Sequence, residues 1–180
     1  QPIPGWTKPG VFGLAGATAL FKQNLSPLGQ CTIVSGTGPL VFFVASEILR
    51  LGGTVAAVIT PNTRRDWVAK LPALAGRVDL AFRGALWIAN LMMTQVPIFW
   101  SCSVVSVEGT SKVEGAQIQK LDANWVPKGA TWSIEADSLC LGHGLIPSIE
   151  VPQLSGISIS HRSDLGGWVP DIGEDGVTSI

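Results

Sequence analysis

Apolar and polar positions along the chain alternate between two periods. Cys31 to Ser35 is a short β-rich apolar run, Gly36-Thr37-Gly38-Pro39 interrupts it, and Leu40 to Leu51 carries apolar residues at helical spacing. After Gly52-Gly53 a second apolar run covers Thr54 to Thr60. This order predicts strand, glycine turn, helix, strand, the opening of a doubly wound sheet. Upstream, Leu14 to Asn24 has helical composition and Ser26-Pro27-Leu28-Gly29 closes it, while residues 1–10, with Pro4-Gly5 and Pro9-Gly10, read as an extended connector. Downstream, Thr63 to Ala75 reads as a helix with Trp67, Leu71 and Leu74 on one side and a kink or break at Pro72. Val78 to Met93 is apolar nearly all round, the pattern of a helix buried between layers.

From Pro97 to Ile134 the period becomes two. Val104, Val105 and Val107, then Val113, Ala116, Ile118 and Leu121, flank a turn at Glu108-Gly109-Thr110-Ser111, and Trp132-Ser133-Ile134 follows a turn at Pro127-Lys128-Gly129. This predicts an antiparallel three-stranded meander beside the parallel sheet. Asp137 to Leu141 returns as an apolar strand ending in Gly142-His143-Gly144, and Ser155 to Ile180 holds short strands and turns. The predicted fold is α/β: a Rossmann-like three-layer NAD(P)-binding domain with a parallel sheet plus the meander.

Composition narrows the partners. The chain has 180 residues, 46% hydrophobic and 14% charged, enough to bury a core, and its net charge of −1 gives no footprint for nucleic acid or an anionic membrane surface. Apolar stretches are interrupted before the roughly 20 residues of a spanning helix. The N-terminal residues lack a basic segment followed by an apolar core, so a signal peptide is not expected and a cytoplasmic location is. The three cysteines, Cys31, Cys102 and Cys140, stand far apart without metal or dithiol spacing and read as buried, inert thiols. No metal site is expected.

The glycine turn carries the chemistry. Gly36 allows a sharp reversal off the strand, Gly38 lets backbone approach a bulky anion, and Pro39 suits the first helical position. Gly36, Thr37, Gly38, Pro39 and Leu40 would face a pyrophosphate with free amides and the helix dipole. The third glycine of the full fingerprint is replaced by Val41, with Ala45 one turn later as a small residue for close packing. Ile59-Thr60-Pro61-Asn62 offers no carboxylate for the ribose of NAD, while Arg64 and Arg65 stand either as a guanidinium pair for the 2′-phosphate of NADP or as solvated residues of a helix start. Gly142 is expected at the crevice edge, as crevice wall or as a simple strand exit. His143 and His161 lie in no nucleophile arrangement, and no catalytic residue is assigned. Of the tryptophans, Trp67, Trp87, Trp100, Trp125 and Trp132 are expected in the core, and Trp6 and Trp168 exposed.

Three phrases, Gly36-Thr37-Gly38-Pro39-Leu40, Ala136-Asp137-Ser138-Leu139-Cys140-Leu141-Gly142 with Gly144 and Pro147-Ser148, and Gly167-Trp168-Val169-Pro170, resemble FAD-dependent oxidoreductases of the glutathione-reductase-like, two-dinucleotide-domain class. Within it the chain is most similar to the flavoprotein subunits of opine oxidase, hydrogen cyanide synthase and dye-linked proline dehydrogenase. The resemblance implies an excised or proteolysed piece: residues 1–24 a connector and helix from the FAD domain, 25–142 an NAD(P)-binding-like domain, and 143–180 a segment returning to the FAD domain. It implies FAD in the full-length parent but not held here, with NAD or NADP possible, and as partners a dinucleotide, the parent's FAD domain and a second oxidoreductase subunit. The parent would act on amine or amino-acid-type substrates and the piece alone would be inactive. The alternative is a cofactor-free Rossmann-like module for structure or subunit docking.

Overall fold

The structure, a computed structural model, describes residues 2–24, 26–70, 78–144 and 146–178. The helical continuation from Leu71 to Ala75, with the break at Pro72, lies outside them. The chain divides into two compact units, residues 1–143 and 144–180.

The first unit runs β1 (Val11–Gly13), α1 (Leu14–Asn24), β2 (Cys31–Gly36), α2 (Leu40–Arg50), β3 (Thr54–Thr60), α3 (Arg64–Lys70), α4 (Val78–Met93), β4 (Ile98–Trp100), β5 (Cys102–Glu108), β6 (Gly115–Leu121), β7 (Pro127–Glu135) and β8 (Ser138–Gly142). Strands β1-β8-β2-β3-β4 form an all-parallel sheet in that order, and β5-β6-β7 a separate antiparallel meander. The fold is a Rossmann-like α/β architecture of three layers. Strand β2 has neighbours on both edges and cover on both faces, so its residues are buried from Thr32 to Gly36 rather than on alternate positions. Alternation still sorts its side chains: Val34 joins the core formed with α1, α2 and α4, and Ile33 the core formed with the meander.

Helix α2 buries Val41, Phe42, Val44, Ala45 and Ile48 and leaves the Glu47–Arg50 pair at its rim. Pro39 is its N-cap rather than its first helical residue, a displacement of one position. At the amino end of the sheet the Asp137 carboxylate accepts the Gln30 amide at 2.8 Å and the Cys31 amide at 3.0 Å, and the Thr32 and Ser138 hydroxyls bond at 2.7 Å. These contacts lock β8 against β2.

Several expectations are corrected. Ile98–Trp100, within the stretch of period two, joins the parallel sheet as its edge strand. Val113 sits in the β5–β6 connection rather than a strand, yet is buried, with its amide donated to the Pro9 carbonyl. The β6–β7 turn lies at 122–126, where Asp122 Oδ1 accepts the amides of Asn124 and Val126. Pro127-Lys128-Gly129 belongs to β7, and a register shift opposite this segment absorbs Gly129 with its φ of 82°. Trp125, carried on that turn at a φ of 62°, is exposed instead of core. Helix α4 has the predicted bounds but is not enclosed, since Phe82, Leu86, Met92 and Met93 face outward.

The second unit holds α5 (Glu150–Leu154) and the antiparallel pair β9 (Ile159–Arg162) and β10 (Gly167–Pro170). Among its described residues no apolar side chain is fully buried, and Ile146, Leu154 and Trp168 are exposed, as is Trp6 of the first unit. No helix among the described residues is long and apolar enough to cross a membrane.

Candidate functional site

The sheet order places a crevice outside the carboxyl ends of β2 and β8. From β2 the chain passes through α2 to β3 on one side, while β8 enters on the other, and such a reversal leaves a gap between diverging connections. Gly36 and Gly142 pair in register there. A Cβ on Gly36 would stand 1.8 Å from the Gly142 carbonyl oxygen, and the next amide, Thr37, donates to that oxygen at 2.8 Å. Gly36 is therefore required for strand-to-strand closeness. Thr37 spends its amide on Gly142, so it is not a free donor. Gly142 is required in turn by Leu14, whose side chain lies 2.0 Å from where its Cβ would be.

Gly38 differs in kind. Its φ is 76°, favouring glycine, but nothing lies within 4 Å of an added Cβ, so this bend faces open space. Pro39 has no amide and no side-chain cap, and its carbonyl takes the amides of Phe42 and Phe43 at 3.2 Å each. The amides of Leu40 and Val41 precede any intrahelical acceptor; Leu40 is only partly buried, whereas Val41 is fully buried. Val41 and Ala45 are both fully buried on the inner face of α2, so valine at the third-glycine position is accommodated by the packing.

The second wall is the β3–α3 connection. Thr60 is buried, and its hydroxyl donates to Asn62 Oδ1 at 3.3 Å while accepting the Asn62 amide at 3.4 Å. Thr63 and Asp66 form a reciprocal cap: the Thr63 amide donates to Asp66 Oδ2 at 2.6 Å, and Thr63 Oγ1 accepts the Asp66 amide at 3.1 Å. That cap sets the start of α3 and holds Arg64 and Arg65 on an exposed first turn. Arg64 places its guanidinium 5.9 Å from the centroid of Trp100, the residue paired in register with Thr60. Arg65 stays exposed to solvent. Phe42, at the start of α2, contacts Trp67 edge-on at 5.1 Å and Trp100 at 5.9 Å, and Trp67 Nε1 is buried without a hydrogen-bond partner, as is Ser35 Oγ.

The structure thus brings Gly36 through Leu40 and Gly142 to one crevice edge and puts Thr60, Arg64 and Arg65 at the end of the neighbouring strand. The engagement of Arg64 by Trp100 escapes sequence reading because it depends on the pairing of β3 with β4, and its one available signal is that both strands end at an aromatic or arginine-rich boundary. The donor set fits a dinucleotide's diphosphate at Gly38 and Leu40, and it offers cations rather than a carboxylate beyond Thr60.

His143 follows the crevice edge, and desolvation pushes its pKa down. It lines a shallow cup of about 290 Å³ with Pro2, Ile3, Trp6, Leu141 and Gly142. Cys31 is half-buried rather than fully buried, while Cys102 and Cys140 are buried; all three are free. Burial raises each thiol, and Cys140 is pushed up to about 12. An unfolded Cys140 ionises near its ordinary value of 9.0 while the folded one stays protonated. Its contribution is therefore flat below pH 9 and falls by about 1.4 kcal/mol per pH unit between 9 and 12. Stability measured by urea unfolding from pH 8 to 11 is expected to fall less steeply above pH 9 in Cys140→Ala than in the parent chain, and equal slopes would refute the assignment.

No family model matches the chain. The HcnB subunit of hydrogen cyanide synthase from Pseudomonas aeruginosa is 28% identical over 165 residues, which is 91% of this chain and 35% of that protein. An opine oxidase subunit from Rhizobium meliloti is 21% identical over 182 residues, 99% of this chain and 33% of that protein. The chain spans about a third of the length of the curated relatives it matches. Among solved structures, T. acidophilum thioredoxin reductase superposes with a TM-score of 0.62 at 16% identity, covering 99% of this chain and 49% of that one. A 6-hydroxypseudooxynicotine amine oxidase from Pseudomonas geniculata superposes at 0.61 and 16% identity, covering 87% of this chain and 20% of that one. The similarity to opine oxidase and hydrogen cyanide synthase subunits predicted from the motifs is present over nine-tenths or more of the chain, and the solved structures show the same fold.

Proposed function

We propose that residues 25–142 are the NAD(P)-type nucleotide-binding domain of an FAD-dependent oxidoreductase acting on amine or amino-acid-type substrates. The observation that carries this reading is the turn at Gly38, a left-handed bend with empty space over it, standing before an uncapped helix start at a sheet's carboxyl edge. Similarity to subunits of hydrogen cyanide synthase and opine oxidase supports the oxidoreductase class. The flanking segments 1–24 and 143–180 are read as parts of the FAD domain, which supports flavin binding by the rest of the parent protein, partnership with a second subunit, and a piece inactive alone. Free cysteines support a cytoplasmic setting.

A nicotinamide nucleotide, when bound, supplies hydride chemistry. The residues here bind and orient: the Leu40 amide meets the diphosphate, Gly38 keeps side chains out of its path, and Arg65, exposed on the first turn of α3, meets a 2′-phosphate. Titrating the chain with NADPH and NADH is expected to quench the fluorescence of Trp67 and Trp100. Gly38→Val removes the response to both, and Arg65→Ala weakens NADPH alone, by roughly tenfold for one lost charge-assisted contact. Absence of any response at about millimolar nucleotide would defeat the binding reading.

A further inference from the structure

Asn62, just past the end of β3, is pinned on several sides with one group left over. Its amide donates to Thr60 Oγ1 at 3.4 Å, its carbonyl accepts the Ser101 amide at 3.2 Å, and its side-chain Oδ1 accepts the Thr60 hydroxyl at 3.3 Å. The last of these bonds decides which way round the carboxamide sits. Thr60 is fully buried at the register position paired with Trp100, and its single hydroxyl proton is spent on Oδ1. Asn62 itself is half-buried, and among the described residues no acceptor stands against its Nδ2. That nitrogen carries a pair of N–H donors, turned away from Thr60 by the bond that holds the oxygen.

The chemistry left over discriminates between two riboses. A ribose with free hydroxyls has protons to give and needs an acceptor, the part a carboxylate plays at the end of this strand in sheets of this kind. A 2′-phosphate has only acceptors and needs donors. Here Thr60 Oγ1, Asn62 Oδ1, Thr63 Oγ1 and Asp66 Oδ2 each already take a hydrogen bond from within the loop, whereas Asn62 Nδ2 and the exposed Arg65 guanidinium only donate. We propose that Thr60 is a positioning residue that fixes Asn62 as a donor fork for a ribose 2′-phosphate, so that this edge selects NADP over NAD. The proposal rests on the reading of the domain as a nicotinamide-nucleotide binder and adds to it a selecting element that arginine does not supply. Arg65 attracts any anion, while the held carboxamide also penalises the unphosphorylated ribose, because it withholds the oxygen those hydroxyls need.

Calorimetric titration of the full chain with NADPH and with NADH, read as the ratio of the two dissociation constants, tests it. The unmodified chain is expected to prefer NADPH. Thr60→Val keeps the shape of the side chain and removes the hydroxyl, so the Asn62 carboxamide is free to turn over and offer Oδ1. NADPH is then expected to weaken, NADH to strengthen, and the preference to fall by roughly tenfold. Thr60→Ser retains the hydroxyl and is expected to keep the parent ratio. Asn62→Asp, at a half-buried position that does not depend on the core around Thr60, replaces donors with acceptors and is expected to turn the preference toward NADH. Damage to packing alone weakens both nucleotides together and leaves the ratio where it was. A parent ratio retained in both Thr60→Val and Asn62→Asp, or an unmodified chain that prefers NADH, overturns the proposal while leaving nucleotide binding in place. Failure of the unmodified chain to bind either nucleotide overturns both.

Discussion

Gly36→Ala is expected to cost more than about 3 kcal/mol of stability and to leave little soluble, folded chain. The added methyl would sit 1.8 Å from the Gly142 carbonyl oxygen, 2.6 Å from its carbon and 3.1 Å from its Cα. All three are backbone atoms of a paired strand, so no side chain can turn aside to relieve the overlap. Moving β8 away would break the Thr37–Gly142 hydrogen bond and the register along the whole strand. The same substitution at Gly38 meets no atom within 4 Å and costs about 1–2 kcal/mol for the left-handed φ alone. Urea unfolding of the two variants side by side makes the check: equal and small losses would mean that Gly36 is not held against β8.

The second large effect is expected at Phe42. Its ring is 1% exposed and is shared by three elements, touching Trp67 on α3 and Trp100 at the end of β4 from its place on α2. Truncation to alanine opens a cavity between aromatic walls that cannot close over it, and Phe42→Ala is expected to cost about 3–5 kcal/mol. Phe42→Leu, which keeps most of the volume, is expected to cost less than about 2 kcal/mol. Domains of this kind have only about 5–15 kcal/mol in total, so the alanine variant melts at a clearly lower temperature with an unchanged dependence on denaturant. A loss below about 1 kcal/mol for Phe42→Ala would show that α3 and β4 are held to the cradle helix by other contacts.

Local signals and the antiparallel meander were legible, and the strand order and register of the parallel sheet were not. The strand, glycine turn, helix and strand from Cys31 to Thr60 follow from period, glycine and proline, all contained within a few residues, and the structure has them within one position. The role of Gly36 is a different matter, because its reason is Gly142, and only the sheet order brings the two together. Arg64 over Trp100 depends likewise on β3 pairing with β4. At the β6–β7 turn the Pro-Lys-Gly signal loses to Asp122, whose side chain bonds two turn amides, a competition visible only once donors and acceptors are positioned. An apolar composition around α4 predicts burial on every side, whereas its bonding through Asn90 to Ser46 settles which side is inward and leaves the other free.

The clasp made by Asp137 on the amides of Gln30 and Cys31 has a consequence for how the molecule assembles. It joins points 107 residues apart, so during synthesis β2, α2 and β3 can meet as neighbours in sequence long before β8 exists. Until that late strand docks, β2 has an open edge and Gly142 is not there to hold the Thr37 amide. A nascent chain therefore acquires its shape around a half-finished mouth, and the last strand to arrive both closes the edge and completes the turn.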